Sequence, residues 1–187
     1  MKPKSFLFSW DRPHSSIYKL NTDGSALSNP GKIGGGGILR NDQGKMIYAF
    51  SIPLGAGTNN QAEVQAAFQG IHWCVQHGYR RIHLEVDSEL LVKWLTDGSK
   101  PPWKITHYIK ELQTITSQLD FFQCSHTFRE NNGTADLLSK WSHRIDTTQH
   151  FYTFHQLPRM VRGSYMLEKM GVINFRRKKL KRIKKPP

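Results

Sequence analysis

Cysteine is scarce in this chain: Cys74 and Cys124 are the only two among 187 residues. Two thiols, one in a segment that reads as helix and one in a segment that reads as strand, cannot build a disulfide framework. They are expected to be reduced, and the fold must rest on a packed core. Long apolar runs are missing too. Nothing approaches the roughly eighteen uninterrupted apolar residues of a membrane-spanning helix, and the apolar run at residues 6–8 is too short for a secretory signal. Acids are also few, 14 against 27 lysines and arginines, for a net charge of +13. That excess is uneven. Residues 176–185, RRKKLKRIKK, hold eight basic residues and no acid, which leaves the rest of the chain at only +5. So dense a run is expected to attract phosphate backbones and to serve as a nuclear address. Arg176, Arg177, Lys178, Lys179, Lys181 and Arg182 are the candidate nucleic-acid contacts within it.

What the chain does have is enough apolar material for one domain of ordinary size, 37% hydrophobic residues with five tryptophans and ten phenylalanines. No internal repeat is visible. The expected organisation is a leader over 1–14, a folded domain over 15–146, a packing extension over 147–175 and the basic tail over 176–187. The leader reads as loose. Runs 17–25, 36–41 and 45–54 read as strands, the last two joined by the hairpin signal Asn41-Asp42-Gln43-Gly44. Residues 60–77 repeat apolar side chains at helical spacing up to Gly78. Residues 80–87 alternate as a strand, 88–96 and 104–118 read as helices, 121–128 as a fifth strand and 133–143 as a last helix. Three strands in succession form an antiparallel meander. Strands reached through helices run parallel to the first by right-handed crossover. The fold class is therefore α/β, one mixed sheet with helices against it.

Four acids fall at telling places. Asp23 closes the first strand and Asp87 the fourth, next to each other where the strand order reverses, which is where ligands bind in such sheets. Glu63 lies near the start of the helix before strand four, and Asp136 in the first turn of the last helix. Each has a bland alternative. Asn60 and Glu63 have capping-box spacing, Asp87 or Ser88 could cap a helix, and Asp136 suits a helix dipole. Asp23 has no helix to cap. Acids crowded together repel one another unless protonated or neutralised by a cation, and an all-oxygen donor set points to magnesium or manganese rather than zinc.

The segments NTDGSALSNPGKIGGGGIL, TNNQAEVQAAFQGI, LEVDSELLVKWL and ENNGTADLLSK resemble, in order and spacing, the four motifs of the ribonuclease H family. The wording is most similar to the reverse-transcriptase-like, retroelement-type domains of plants. The resemblance covers about residues 17–143 and implies the ribonuclease H-like fold, a five-stranded mixed sheet of order 3-2-1-4-5. It implies hydrolysis of the RNA strand of an RNA–DNA hybrid by two metal ions about 4 Å apart. By motif match Asp23 would bridge both ions, Asp136 would help hold the ion on the water side, and Glu63 and Asp87 the ion on the leaving side. Gly24, Ser25, Asn29, Asn59 and Gln61 would meet the hybrid, with contacts to 2′-hydroxyls separating RNA from DNA. Two departures stand out. The loop histidine of the better-known cellular enzymes is missing; Arg129 or Glu130 lies nearest its place, and His126 reads as a partly buried strand residue. Only Lys100 and Lys104, beside Trp103, stand where bacterial relatives place a basic handle. The alternative function is a catalytically weak or inactive nucleic-acid-binding module derived from a retroelement.

Overall fold

The computed structural model describes residues 5–177, with only the backbone described for 5–8 and 174–177. Its elements are β1 (Ser5–Phe8), β2 (Tyr18–Ala26), β3 (Gly31–Arg40), β4 (Met46–Gly57), α1 (Asn59–Gln76), β5 (Arg81–Val86), α2 (Glu89–Thr96), α3 (Thr106–Thr116), β6 (Phe121–His126), α4 (Gly133–Trp141), β7 (Gln149–Phe151), α5 (Arg159–Lys169) and β8 (Asn174–Arg177). The main sheet runs β6-β5-β2-β3-β4-β7. The meander β2-β3-β4 is antiparallel, and β5 and β6 are parallel to β2, as the pattern of crossovers requires.

The sheet has six strands rather than the expected five. The added strand is β7, which pairs antiparallel with β4 from Ala49↔Phe151 to Ser51↔Gln149. Three residues are too few to show a period of two, so β7 is visible only through its partner. The leader is not loose either. β1 pairs antiparallel with β8 in a second, two-stranded sheet, and Trp10 is buried. Both cysteines are free thiols.

Two cores hold the helices to the sheet. On one face Leu20, Leu39, Phe50, Ile82 and Leu84 meet α1, α2 and α3 through Val64, Ile71, Leu91, Ile109 and Leu112. Tyr48 stacks on Trp73 there with centroids 3.7 Å apart. On the other face Ile38, Met46 and Ala49 meet Leu138 of α4, Phe151, and Val161 and Tyr165 of α5. The extension after residue 146 thus supplies part of the second core.

Strand β2 is unusual in burying both faces while only one is apolar. Leu20 and Thr22 pack against Gly70 of α1. On the opposite face Lys19, Asn21 and Asp23 are 3%, 0% and 3% exposed. Buried polar groups are tolerated only when partnered, and these are. Lys19 Nζ donates to Glu85 (3.0 Å) and to the Asp11 carbonyl (2.7 Å), and Asn21 Nδ2 donates to Glu85 and Asn132.

Candidate active site

Two glycines bring the helices down onto the sheet where the acids lie. A Cβ on Gly24 would stand 2.2 Å from the Glu63 nitrogen, so its absence lets α1 press on β2 beside Asp23. A Cβ on Gly36, which pairs with Asp23 across β2 and β3, would stand 2.4 Å from the Ser139 nitrogen. That gap lets α4 close on the other face. Strand β5 ends at Val86, opposite Thr22, so Asp23 is the first residue of β2 beyond its parallel neighbour. Asp87 turns off beside it.

One oxygen from each of Asp23, Glu63 and Asp87 lies within 4.8 Å of the other two. The bland explanations fall away for two of them. Thr58 and Gln61 form the capping box of α1, leaving Glu63 beyond the capping positions, and Ser88 rather than Asp87 caps α2, at 3.3 Å from the Leu91 nitrogen. Glu63 is 5% exposed and its Oε2 is buried with no hydrogen-bond partner. Burial, then the charges of Asp23 and Asp87, hold the Glu63 carboxyl well above the ordinary range. Burial and then Asp87 do the same to Asp23, opposed by a hydrogen bond from Ser139. Asp87 is raised by burial and eased by Asp23 and Arg129. An all-carboxylate set with an orphaned buried oxygen fits a hard divalent cation.

Asp136 stands apart from that trio. Its Oδ1 accepts from Arg129 (Nη2 at 2.7 Å, Nε at 3.2 Å) and its Oδ2 from Lys140 at 2.5 Å. It is still near enough for its charge to raise Asp23 and Asp87. The structure thus brings together three of the four expected acids and holds the fourth beside them on two cations. Arg129 lies in a single 3-10 turn, Arg129–Asn131, which with a few flanking residues links β6 to α4. That short link is where a histidine-bearing loop was expected to be missing. His126 is exposed at the end of β6, not partly buried as its strand face suggested, because β6 is the sheet's edge.

Three side chains at the site were not read from the sequence. Ser139 donates to Asp23 Oδ2 at 2.5 Å, Lys140 pairs with Asp136, and Asn132 donates to the Thr22 carbonyl at 2.9 Å. The first two stand three and four residues after Asp136, a spacing that places them near its face of the helix and could have flagged them. Ser25 Oγ bonds the Ser139 carbonyl (2.9 Å) and His143 Nε2 (2.8 Å). Asn29 Oδ1 accepts from the Asn59 nitrogen at 3.1 Å, and Gln61 Oε1 from the Thr58 nitrogen at 2.8 Å. Asn29, Thr58, Asn60, Gln61, Pro102, Lys104 and Ile105 line one depression of about 250 Å³. Trp103 beside it is 81% exposed. Among the tail candidates, Arg176 and Arg177 fall in β8, where only backbone is described, while Lys178, Lys179, Lys181 and Arg182 lie outside the described residues.

Fold and acid cluster together define a ribonuclease H-like domain. Residues 21–142 match the reverse transcriptase-like family, and the chain belongs to it. It is 26% identical over 174 residues to a protein of Arabidopsis thaliana named for ribonuclease H, covering 93% of this chain and 28% of that protein. Ribonuclease HI of Halobacterium salinarum is 29% identical over 120 residues, which cover 63% of this chain and 59% of the enzyme. The crystal structure of RNase H1 from that archaeon superposes with a TM-score of 0.65 at 25% identity, over 68% of this chain and 98% of the other. LC11-RNase H1, crystallised with an RNA/DNA hybrid, gives 0.62 at 25% identity, over 67% and 95%. The chain thus spans less than two thirds of the length of these curated relatives. Among the described residues no helix is long and apolar enough to cross a membrane.

Proposed function

We propose that this chain is a divalent-metal-dependent endonuclease that hydrolyses the RNA strand of RNA–DNA hybrids, leaving 5′-phosphate and 3′-hydroxyl ends. One observation carries the reading: Asp23 of β2, Glu63 of α1 and Asp87 just after β5 converge in one cluster, the first two buried and the third partly so, with an orphaned Glu63 oxygen. Kinship with ribonuclease H enzymes, one of them crystallised on an RNA/DNA hybrid, supports the substrate class. Magnesium is the ion of choice, with manganese a substitute; bound as a pair, such ions stabilise charge on the attacking and leaving oxygens of an in-line displacement. Asp23, Glu63 and Asp87 would hold them, with Asp136 completing the set.

The chain's own part is orientation. Ser139 pins one oxygen of Asp23, so that carboxylate cannot rotate freely. Arg129 and Lys140 fix Asp136 and add positive charge where a phosphate must approach. The depression from Asn29 to Lys104 offers amide and hydroxyl groups to sugar hydroxyls, with exposed Trp103 as a stacking surface beside it. The basic tail would add phosphate attraction and a nuclear address.

A second reading, binding without appreciable cleavage, is favoured by one observation: both Asp136 oxygens are engaged by cationic side chains. One assay separates the two. The full chain is given a labelled RNA–DNA hybrid, an RNA duplex and a DNA duplex with magnesium, manganese or chelator, beside Asp23→Asn and Asp136→Asn. Cleavage confined to the hybrid, and lost with chelator and in both variants, is expected. Hybrid binding without cleavage would establish the binding module instead.

A further inference from the structure

Glu168 of α5 is the one acid in the sequence of the C-terminal extension, it is buried at 5% exposed, and it lies beyond residue 142, where the family match ends. Its two oxygens are fully used. Oε1 accepts from the Thr134 backbone nitrogen at 2.8 Å. Oε2 accepts from the Thr134 hydroxyl at 2.8 Å and from Arg40 Nη1 at 2.7 Å. Thr134 is the second residue of α4, two before Asp136. Glu168 therefore satisfies one of the orphan amide donors at the start of that helix, the work of an N-cap. The α4 cap position itself, Asn132, makes no side-chain capping bond. Its amide is turned instead to the Thr22 carbonyl, beside Asp23, and to Asn21.

Arg40 continues the connection. It is fully buried, its Nη2 donates to Asn21 Oδ1 at 2.9 Å, and its guanidinium lies 4.0 Å from the Trp10 ring centroid. Asn21 stands two residues before Asp23 on the same face of β2, and bonds Asn132 in turn. The bonds close a ring: Glu168 to Arg40, Arg40 to Asn21, Asn21 to Asn132, and through the first turn of α4 back to Glu168. One side of the ring is the strand of Asp23 and the other is the helix of Asp136. Gly133 lies close under α5, where a Cβ would stand 2.9 Å from the rotatable Ser164 Oγ and 3.4 Å from Glu168 Oε1. Tyr165 anchors α5 from the other side, accepting from the Met46 nitrogen at 3.0 Å.

We propose that Glu168 is a positioning residue for the metal site: it fixes the first turn of α4, and so Asp136, against the strand that carries Asp23. The proposal rests on the metal-dependent nuclease reading. It makes the extension a working part of the site rather than packing alone, because the directed bonds of this ring, made through both terminal nitrogens of Arg40 though not its Nε, hold one arrangement where apolar packing tolerates several.

The test uses the full chain with Glu168→Gln and Thr134→Val. Glu168→Gln places a donor against Arg40. Thr134→Val removes the hydroxyl, with its bond to Glu168 and its longer one of 3.4 Å to Ser164, in a side chain of similar shape, and decides the matter if the first variant does not fold. Each is compared with wild type well below its own melting temperature, by calorimetric titration with manganese alone and by steady-state cleavage of a hybrid. Glu168→Gln is expected to weaken manganese binding at least fivefold and lower kcat at least tenfold while KM stays within twofold; Thr134→Val should shift both in the same direction by less. Folded variants that melt earlier yet keep wild-type manganese affinity and kcat would overturn the proposal, since a merely structural role predicts that result. A wild type that neither binds manganese nor cuts would remove the nuclease reading and the positioning role with it. Wild-type activity beside unaltered variants would remove the positioning role alone.

Discussion

Replacing Gly24 by alanine tests whether packing of one helix sets the catalytic geometry. The new methyl group would stand 2.2 Å from the Glu63 nitrogen and 2.3 Å from the Ala62 carbonyl carbon. Both are backbone atoms of α1, so no side chain can swing aside. Restoring an ordinary contact of 3.4 Å needs a retreat of about 1.2 Å at that point of the helix. Overpacking of this kind costs about 1–3 kcal/mol, readable as a lower urea midpoint. The displaced residue is Glu63 itself, and a misplacement of about 1 Å can cost on the order of 100-fold in rate. Manganese affinity and hybrid cleavage should therefore fall together in Gly24→Ala. Gly163→Ala is the control: nothing lies within 4 Å of that exposed helical position, and the change should stabilise by about 0.5–1 kcal/mol. A wild-type urea midpoint for Gly24→Ala would refute the packing argument. A destabilised variant with unaltered metal affinity and cleavage would refute the link from that packing to Glu63.

Other outcomes follow from the same site. The carboxyls of Asp23 and Glu63 are raised in the fold, so their contribution to stability is fully present below the unfolded value of about 4 and is lost as pH rises through the higher folded values. In chelator, urea midpoints should fall with rising pH above about 4, and Asp23→Asn should flatten that fall while abolishing cleavage; a wild-type slope in Asp23→Asn would refute this. Ser139→Ala frees one oxygen of Asp23 and should weaken manganese binding with hybrid affinity unchanged, checked by calorimetry and by gel shift in chelator. Because β8 extends to Arg177, the tail is best isolated by ending the chain there, which leaves that strand in place. Hybrid affinity should then drop and its salt dependence flatten by about 0.9 in log–log slope for each phosphate that the tail had neutralised, and an unchanged salt titration would refute the tail's role.

Much of this arrangement was legible in the sequence, for definite reasons. Strands and helices with a full period of apolar residues, such as Arg81–Val86 and Asn59–Gln76, announce themselves locally. Asp23 was conspicuous because a strand-end acid has no local use. Glu63 was ambiguous because Asn60–Glu63 has capping-box spacing, yet the box that forms is Thr58–Gln61, the pair with the Ser/Thr-x-x-Glu/Gln pattern. What stayed hidden was long-range and polar. β7 depends on β4, β1 on β8, and Glu168 on Arg40, 128 residues away. A glutamate among Met166, Leu167, Lys169 and Met170 looks like a solvated helix residue until its partner is seen. The pairing of Asp136 with Arg129 was equally invisible, since it needs the chain to turn sharply after β6.

The sealed guanidinium of Arg40 has a practical consequence. Anyone trimming this polypeptide to residues 21–142, the portion that matches the family, would keep Arg40 but discard both Glu168, its ion-pair partner, and Trp10, the ring it lies against. Removing Glu168 alone, with α5 still in place over Arg40, would cost about 3–5 kcal/mol, a large share of the margin by which a domain stays folded. A fragment cut at those bounds also loses the α5 part of the second core and is expected to be less stable than the full chain, so its silence in a nuclease assay would not speak for the whole chain.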